Sequence, residues 1–424
     1  MSKILPANIE HVQLDGLAFK PKQKGYCYLV FWWYSIPLGD LYIEFDGQEP
    51  NNSKLNKAII NAIAPTIDFY AAKYKPKGNY QKEFISGNYD VFKKIMAEIF
   101  SACLPVDIPS KVGVSVVICT RNRSQDLKLC IESLLKQTCL PEEIIVVDNA
   151  PTDNSTQLIA EQYKDVTYCK EERPGLDIAR NSGALKAKNQ IVAYTDDDVQ
   201  VHPLWTYRVW ETFLKEDVHA MTGLVLASSL DTESQQIFEK HWAFNKGYLY
   251  KVYNNQFIKE NLKVGPKVWD IGAGANMAFR KQVLAKVNWF DERLDVGAAG
   301  CSGDSEIWFR VLENNFNIQY NPQAVVYHEH RKELGKLHKQ LFNYMRGFAA
   351  AALIQHDQNK HAGYRKHLFY KLPQYYFYLL VKGFPSYKFN HRTVFSEIHG
   401  LLSGIKFYYQ NRKKPAIRSG INKV

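Results

Sequence analysis

Gln190-Ile191-Val192-Ala193-Tyr194-Thr195-Asp196-Asp197-Asp198 is an apolar run that ends in three consecutive carboxylates. The run predicts a short buried strand. Three acids at its tip repel one another unless a cation sits among them. Hard oxygen ligands suit Mg²⁺ or Mn²⁺, ions that commonly bridge to phosphate. The stretch therefore predicts a metal–diphosphate site at the C-terminal edge of a sheet. The plainer alternative is an acidic, solvated turn.

Working outward, the segments before it alternate in type. Val114-Ser115-Val116-Val117-Ile118-Cys119 is a buried strand, and Asp126 to Gln137 has helical spacing, with Leu127, Cys130, Ile131, Leu134 and Leu135 on one face. Ile144 to Val147 is the next strand, Ser155 to Tyr163 a helix, Val166 to Tyr168 a third strand and Leu176 to Ala187 a third helix. This order predicts an α/β fold with a doubly wound, mainly parallel sheet. Ligands of such sheets bind beyond the C-terminal strand ends. Polar clusters fall there: Thr120-Arg121-Asn122-Arg123, Asp148-Asn149, and Arg173 to Gly183. A Thr/Arg/Asn loop holds a base or phosphate. An Asp such as Asp148 accepts from a base N–H or a ribose hydroxyl. Arg180 stacks on a base or pairs with phosphate. Helix capping is the alternative for Asp126, Asp153, Asn154 and Asp177.

Four ordered segments make residues 114–331 resemble glycosyltransferase family 2, enzymes of the GT-A fold: the 114–123 strand and loop, Ile144 to Ala150, Ala179-Arg180-Asn181-Ser182-Gly183, and the acidic triplet. The resemblance implies that Thr120, Arg121 and Asn122 line the nucleotide base, that Asp148 contacts it, and that Arg180 lies against the nucleotide. It makes the triplet a DxD motif, with Asp196 and Asp197 near the sugar nucleotide and Asp198 on the metal. Gly272-Ala273-Gly274-Ala275-Asn276 looks like a dinucleotide fingerprint but lacks the third glycine and its framing strand. In the family such a segment runs along the sugar and acceptor cleft, where glycines allow close backbone approach. Ser302-Gly303-Asp304-Ser305-Glu306 resembles the family's ED motif, with Gly303 in place of the usual glutamate. Asp304 then matches the catalytic base, Glu306 is its local competitor, and simple capping of the helix from Ser305 to Glu313 is the alternative. In Ala324-Val325-Val326-Tyr327-His328-Glu329-His330, a period of two puts both imidazoles on one side. The resemblance implies a metal or diphosphate ligand there, His328 ahead of His330; an ordinary surface pair is the alternative.

The remaining chain divides by composition. Residues 1–108 form a β-rich, then helical, accessory region. Its strands run from Tyr26 to Tyr34 and Leu41 to Phe45, with a turn expected at Gly39-Asp40 and a helix from about Asp90 to Ala102. A linker at 104–109 leads to the catalytic region, 111–335. Residues 336–424 are helical, basic and aromatic. Tyr-rich and Lys/Arg-rich helices there suit either an anionic membrane surface or a cap on the catalytic region.

The net charge of +11 favours an anionic partner without choosing one. No nucleic-acid motif accompanies it, so no nucleic-acid partner is expected. Seven cysteines form no CxxC pair, consistent with reduced thiols. Met1-Ser2-Lys3-Ile4-Leu5 starts no signal-peptide core, and no run approaches the roughly 20 apolar residues of a membrane span. The expected location is the cytoplasm, free or resting on the inner membrane face. The resemblance implies an inverting, metal-dependent glycosyltransferase of cell-surface polysaccharide synthesis. Its donor is a nucleotide-sugar, with UDP favoured, and its acceptor a glycan or lipid-linked hydroxyl. The competing reading is a non-catalytic sugar-nucleotide or glycan-binding module on the same fold.

Overall fold

A computed structural model describes residues 6–16, 24–45, 52–74 and 76–417. The N-terminal stretch read for a signal peptide lies outside the described residues, as does the tail beyond 417. The elements of the N-terminal region are β1 (Ala7–Gln13), β2 (Gly25–Trp33), β3 (Ile36–Phe45), α1 (Asn52–Tyr74), α2 (Tyr80–Ile85) and α3 (Tyr89–Phe100). Then follow β4 (Lys111–Thr120), α4 (Ser124–Leu135), β5 (Leu140–Asn149), α5 (Ser155–Ala160), β6 (Val166–Glu171), α6 (Leu176–Lys186), β7 (Ile191–Asp196), β8 (Val199–Val201), α7 (Trp205–Thr212) and β9 (Ala220–Ala227). Next come α8 (Glu233–Trp242), β10 (Lys251–Tyr253), α9 (Asn255–Asn261), β11 (Asn276–Arg280), α10 (Lys281–Lys286), α11 (Gly303–Glu313) and β12 (Ile318–His328). The C-terminal region is α12 (Leu334–Gln358), α13 (Tyr364–Lys366), α14 (Leu372–Gly383) and α15 (Val394–Asn411).

The large sheet has the order β10-β12-β9-β11-β7-β4-β5-β6, with β8 paired to β12. Its half from β7 to β6 is parallel, as the alternating segments predict. β11 runs antiparallel to both its neighbours, β7 and β9, and joins the second half to the first. The sheet is thus mostly parallel, with β11 reversed inside it and the short β10 and β8 reversed against β12. β4 shows why its β-branched run is a central strand. Val114, Val116 and Ile118 pack with Leu127, Cys130, Ile131 and Leu134 of α4. Val117 and Cys119 face the opposite way, onto Ala179 and Ala184 of α6. Both faces are covered, as a parallel sheet requires. Each fully buried aliphatic side chain contributes about 1.5–3 kcal/mol.

The N-terminal region differs from its sequence reading first at the hairpin. The hairpin turn is at Tyr34-Ser35, where Tyr34 has φ +49°, and Gly39-Asp40 lies inside β3. Gly39 is there because α1 crosses close by: a Cβ on it would stand 2.5 Å from the Ala62 carbonyl oxygen. The long α1 is also new, although Ile59, Ile63, Ile67 and Tyr70 recur at helical spacing through Pro65. The three-stranded sheet docks on the large one through Tyr28, Val30 and Trp32 against Leu224, Leu226 and Val325. In the C-terminal region α12 and α15 pack side by side, with Met345, Ala349 and Leu353 buried beside Leu401 and Tyr408.

Candidate active site

The C-terminal ends of β4, β7 and β12 and the loops before β11 and before α11 open into one cavity of about 1480 Å³. Thr120, Arg121, Arg180, Asp196, Asp197, Asp198, Asp304, His328 and His330 all line it. Asn122 and Asp148 do not. Asn122, at φ +54°, points its carbonyl to the Thr152 N–H. Asp148 is fully buried below the cavity floor, where the Tyr168 hydroxyl donates to its Oδ2 at 3.0 Å. Burial raises its pKa. Its neighbour Asn149 lines the cavity instead. No described residue of the 1–108 region lines it.

The three acids have distinct surroundings. Thr120 Oγ1 donates to Asp197 Oδ2 at 2.7 Å. Arg123 donates from Nη1 to Asp197 at 2.6 Å and from Nη2 to Asp198 at 2.9 Å. Arg331 approaches Asp198 to 3.3 Å from the other side. Burial, then the charge of Asp198, pushes Asp196 up to about 6 and Asp197 up to about 7. Burial acts on Asp198 too, but His328, Arg123 and Arg331 outweigh it and bring it down to about 2. Arg123 sits in the quoted loop but carries no role in the sequence reading. Its place between two acids of the β7–β8 turn is a tertiary contact without a local signal.

Asp196, Asp198 and His328 each offer a ligand atom, all within 4.8 Å of one another. Two carboxylates and an imidazole are a donor set that fits a divalent cation. Burial brings the His328 pKa down to about 4, so the ring is neutral, as a ligand must be. His330 stands behind it: the two Nδ1 atoms are 3.1 Å apart, and His330 Nε2 is 2.9 Å from Glu239 of α8. The pair is buried, so the surface reading fails for both.

Asp304 lies at the first turn of α11, which starts at Gly303, two residues before the predicted start. Its Oδ1 accepts from the Ser305 N–H at 2.6 Å and its Oδ2 from the Gly274 N–H at 2.9 Å. Gly274 is a close approach: a Cβ there would stand 2.7 Å from Arg180 Nη2 and 3.2 Å from Asp304 Oδ2. The competitor Glu306 is fully buried, paired with Arg310 and outside the cavity wall. Arg180 Nη1 bridges Asp177 at 3.0 Å and Asp295 at 2.7 Å. Asp177 is thus a buried partner of Arg180 and not a helix cap. Its carboxylate fills the space beside Gly303, where a Cβ would come within 2.0 Å of Oδ2. The missing glutamate of the ED-like motif has no room.

The far wall belongs to the C-terminal region: Tyr344, Met345 and Phe348 of α12, and Leu372, Tyr375, Tyr376 and Leu379 of α14. The cap reading therefore holds for the inner faces of these helices. No described helix is long and apolar enough to cross a membrane.

Residues 115–287 match the sequence profile of Glycosyl transferase family 2. An uncharacterized glycosyltransferase of Escherichia coli K12, YibD, is 24% identical over 265 residues, 58% of this chain and 71% of that one. Chondroitin synthase of Escherichia coli is 25% identical over 245 residues, 51% of this chain but 34% of that one. The match thus spans about a third of the synthase. The mannosyltransferase PcManGT from Pyrobaculum calidifontis, solved with GDP-Man and Mn²⁺, superposes with a TM-score of 0.46 at 15% identity. The superposition covers 84% of this chain and 99% of that one, a likeness too distant to carry chemical detail across.

Proposed function

We propose that this chain, whose residues 115–287 match Glycosyl transferase family 2, is a glycosyltransferase of that family that transfers a sugar from a UDP-sugar to a hydroxyl of a glycan or lipid-linked acceptor during cell-surface polysaccharide synthesis. The observation that carries the reading is the pairing, within one cavity, of an Asp196–Asp198–His328 cluster with a carboxylate, Asp304, held by two backbone N–H groups. A Mg²⁺ or Mn²⁺ ion held by Asp196, Asp198 and His328 would neutralise the diphosphate as it leaves. Arg123 and Arg331 steady Asp198 as an anion. Asp304 takes the proton from the acceptor hydroxyl as that oxygen attacks the anomeric carbon. One displacement of this kind inverts the anomeric configuration and forms no covalent sugar–enzyme bond. Thr120, Arg121 and Arg180, with Asn149 at the next strand end, form the nucleotide side of the cavity.

The aromatic wall of α12 and α14 supports an acceptor with an apolar carrier, and the outer face of α14 supports contact with the cytoplasmic face of a membrane. Calorimetric titration with UDP, GDP and dTDP, each with and without Mn²⁺, tests the donor reading on the wild type and on Asp198→Ala. Metal-dependent binding of UDP that the substitution abolishes is the expected result. Tighter binding of GDP or dTDP would overturn the choice of nucleotide, and metal-independent binding would overturn the metal.

A further inference from the structure

The strand end that carries His328 is tied to α8 by a chain of three side chains. Glu239 Oε2 lies 2.9 Å from His330 Nε2, His330 Nδ1 lies 3.1 Å from His328 Nδ1, and His328 Nε2 lies 3.4 Å from Asp198 Oδ1. All three members are buried, with exposures of 8%, 4% and 6% for Glu239, His330 and His328. The rings are held by Phe238, 4.6 Å from His330 between centroids, and Phe244, 5.2 Å from His328. α8 clamps the same segment through its backbone. Ser234 Oγ donates to the Arg331 carbonyl at 2.6 Å, and Gln235 Nε2 donates to the His330 carbonyl at 3.4 Å.

Hydrogen-bond bookkeeping along this chain has one solution for neutral rings. An ionised carboxylate only accepts, so His330 Nε2 must carry the hydrogen. The Nδ1 of a neutral His330 is then a bare acceptor. His328 Nδ1 must donate to it, since two lone pairs 3.1 Å apart make no bond. That leaves His328 Nε2 unprotonated, with its lone pair toward Asp198 and the cluster. We propose that Glu239 and His330 are positioning residues that set the tautomer of His328, so that its Nε2 is ready to take a divalent cation. Ligating imidazoles commonly use their second nitrogen in this way, and removing the outer partner typically weakens metal binding about 10–100-fold. Glu239 also shares a second, smaller cavity with Tyr28, Asp40 and Tyr42 of the N-terminal region.

The inference rests on the metal reading above, and the test separates the two. Long-range ¹H–¹⁵N correlation on the full-length, metal-free protein labelled at histidine, at mildly alkaline pH, reads the tautomers directly. His330 is expected as the Nε2–H form and His328 as the Nδ1–H form. A proton on His328 Nε2 in the wild type would overturn the proposal whatever the metal does. Mn²⁺ titration then gives the consequence. Glu239→Leu should weaken binding about 10–100-fold, while Glu239→Gln, whose carbonyl still accepts from His330 Nε2, should recover most of it. A folded Glu239→Leu protein with unchanged Mn²⁺ affinity would also overturn it. If the wild type shows the expected tautomers but binds no Mn²⁺, the metal reading fails and the hydrogen-bond chain stands.

Discussion

Gly274 donates its backbone N–H to Asp304 Oδ2 at 2.9 Å, joining the loop before β11 to the first turn of α11, thirty residues apart in sequence. With the Ser305 N–H on Oδ1, the carboxylate is held by both oxygens and faces the cavity. Asn at this position keeps the shape and one acceptor but cannot take a proton from a hydroxyl. Asp304→Asn should therefore lower kcat about 10²–10⁴-fold and leave nucleotide binding by calorimetry unchanged. Loss of nucleotide binding in step with kcat would mean that Asp304 holds the donor and is not the base.

The acid limb of the pH–rate profile should lie above the ordinary carboxylate range. Burial, then the charge of Asp295, raises the Asp304 pKa, and Arg180 with the two N–H groups opposes this without reversing it. The active form is ionised, so kcat/KM rises with pH through that raised value. The same shift makes the folded state hold this proton more tightly than the unfolded one. Its stabilising contribution is therefore present at low pH and lost as pH rises through the folded pKa. Asp295→Asn removes the raising charge and frees Arg180, so the acid limb should move to lower pH. A limb that stays in place would remove Asp304 as its source.

Much of this site was legible because strand ends collect function in α/β sheets. Thr120, Arg180, Asp196 and Asp198 sit where the alternating segments put them. His328 and His330 fall on one side, with ring centroids 5.2 Å apart, as the period of two requires. Asp148 shows the limit of the method. The strand phase that buries Ile144 to Val147 also buries Asp148, and its neighbour Asn149 reaches the cavity. Arg123, Arg180 and Glu239 act through partners 74, 115 and 91 residues away, and no local pattern encodes such pairings. The turn misplaced at Gly39-Asp40 has the same origin, a glycine kept for a neighbouring helix.

Gly303 should tolerate no side chain while Asp177 is present. A Cβ on Gly303 would meet both oxygens of the Asp177 carboxylate, the nearer at 2.0 Å. Asp177 is fully buried, bound to Arg180 and set in the sheet-facing helix α6, so it has nowhere to move. Gly303→Ala should cost about 1–3 kcal/mol through overpacking, measured by denaturant unfolding. Asp177→Ala opens the space and leaves Arg180 its shorter bond to Asp295. The double variant should be more stable than the sum of the two single losses, with a coupling of about 0.5–3 kcal/mol. Additive losses would show that the two positions do not share that space.

α14 presents two unlike faces, and the outer one should bind anionic membranes. Tyr376, Leu379 and Gly383 turn inward, onto the cavity wall and α15. Phe377 and Val381, four residues apart, form the opposite face, continued by Phe384 just past the helix end, and the three are 70%, 61% and 73% exposed. Lys371, Lys382 and Lys388 flank this face, and Tyr378 beside it is 51% exposed. Aromatics seat at the headgroup level, and each lysine near an anionic surface adds about 1 kcal/mol. The full-length protein should cosediment with vesicles containing phosphatidylglycerol, less with neutral vesicles, and less again as salt rises past the Debye screening range. Replacing Phe377, Val381 and Phe384 together by Ser should cut partitioning at least about tenfold, since one buried large side chain alone is worth about 1.5 kcal/mol or more. These side chains point away from the cavity, so UDP binding should be unaffected. Equal partitioning of wild type and triple variant would assign the face to a protein partner or to solvent, and would detach the acceptor reading from the membrane.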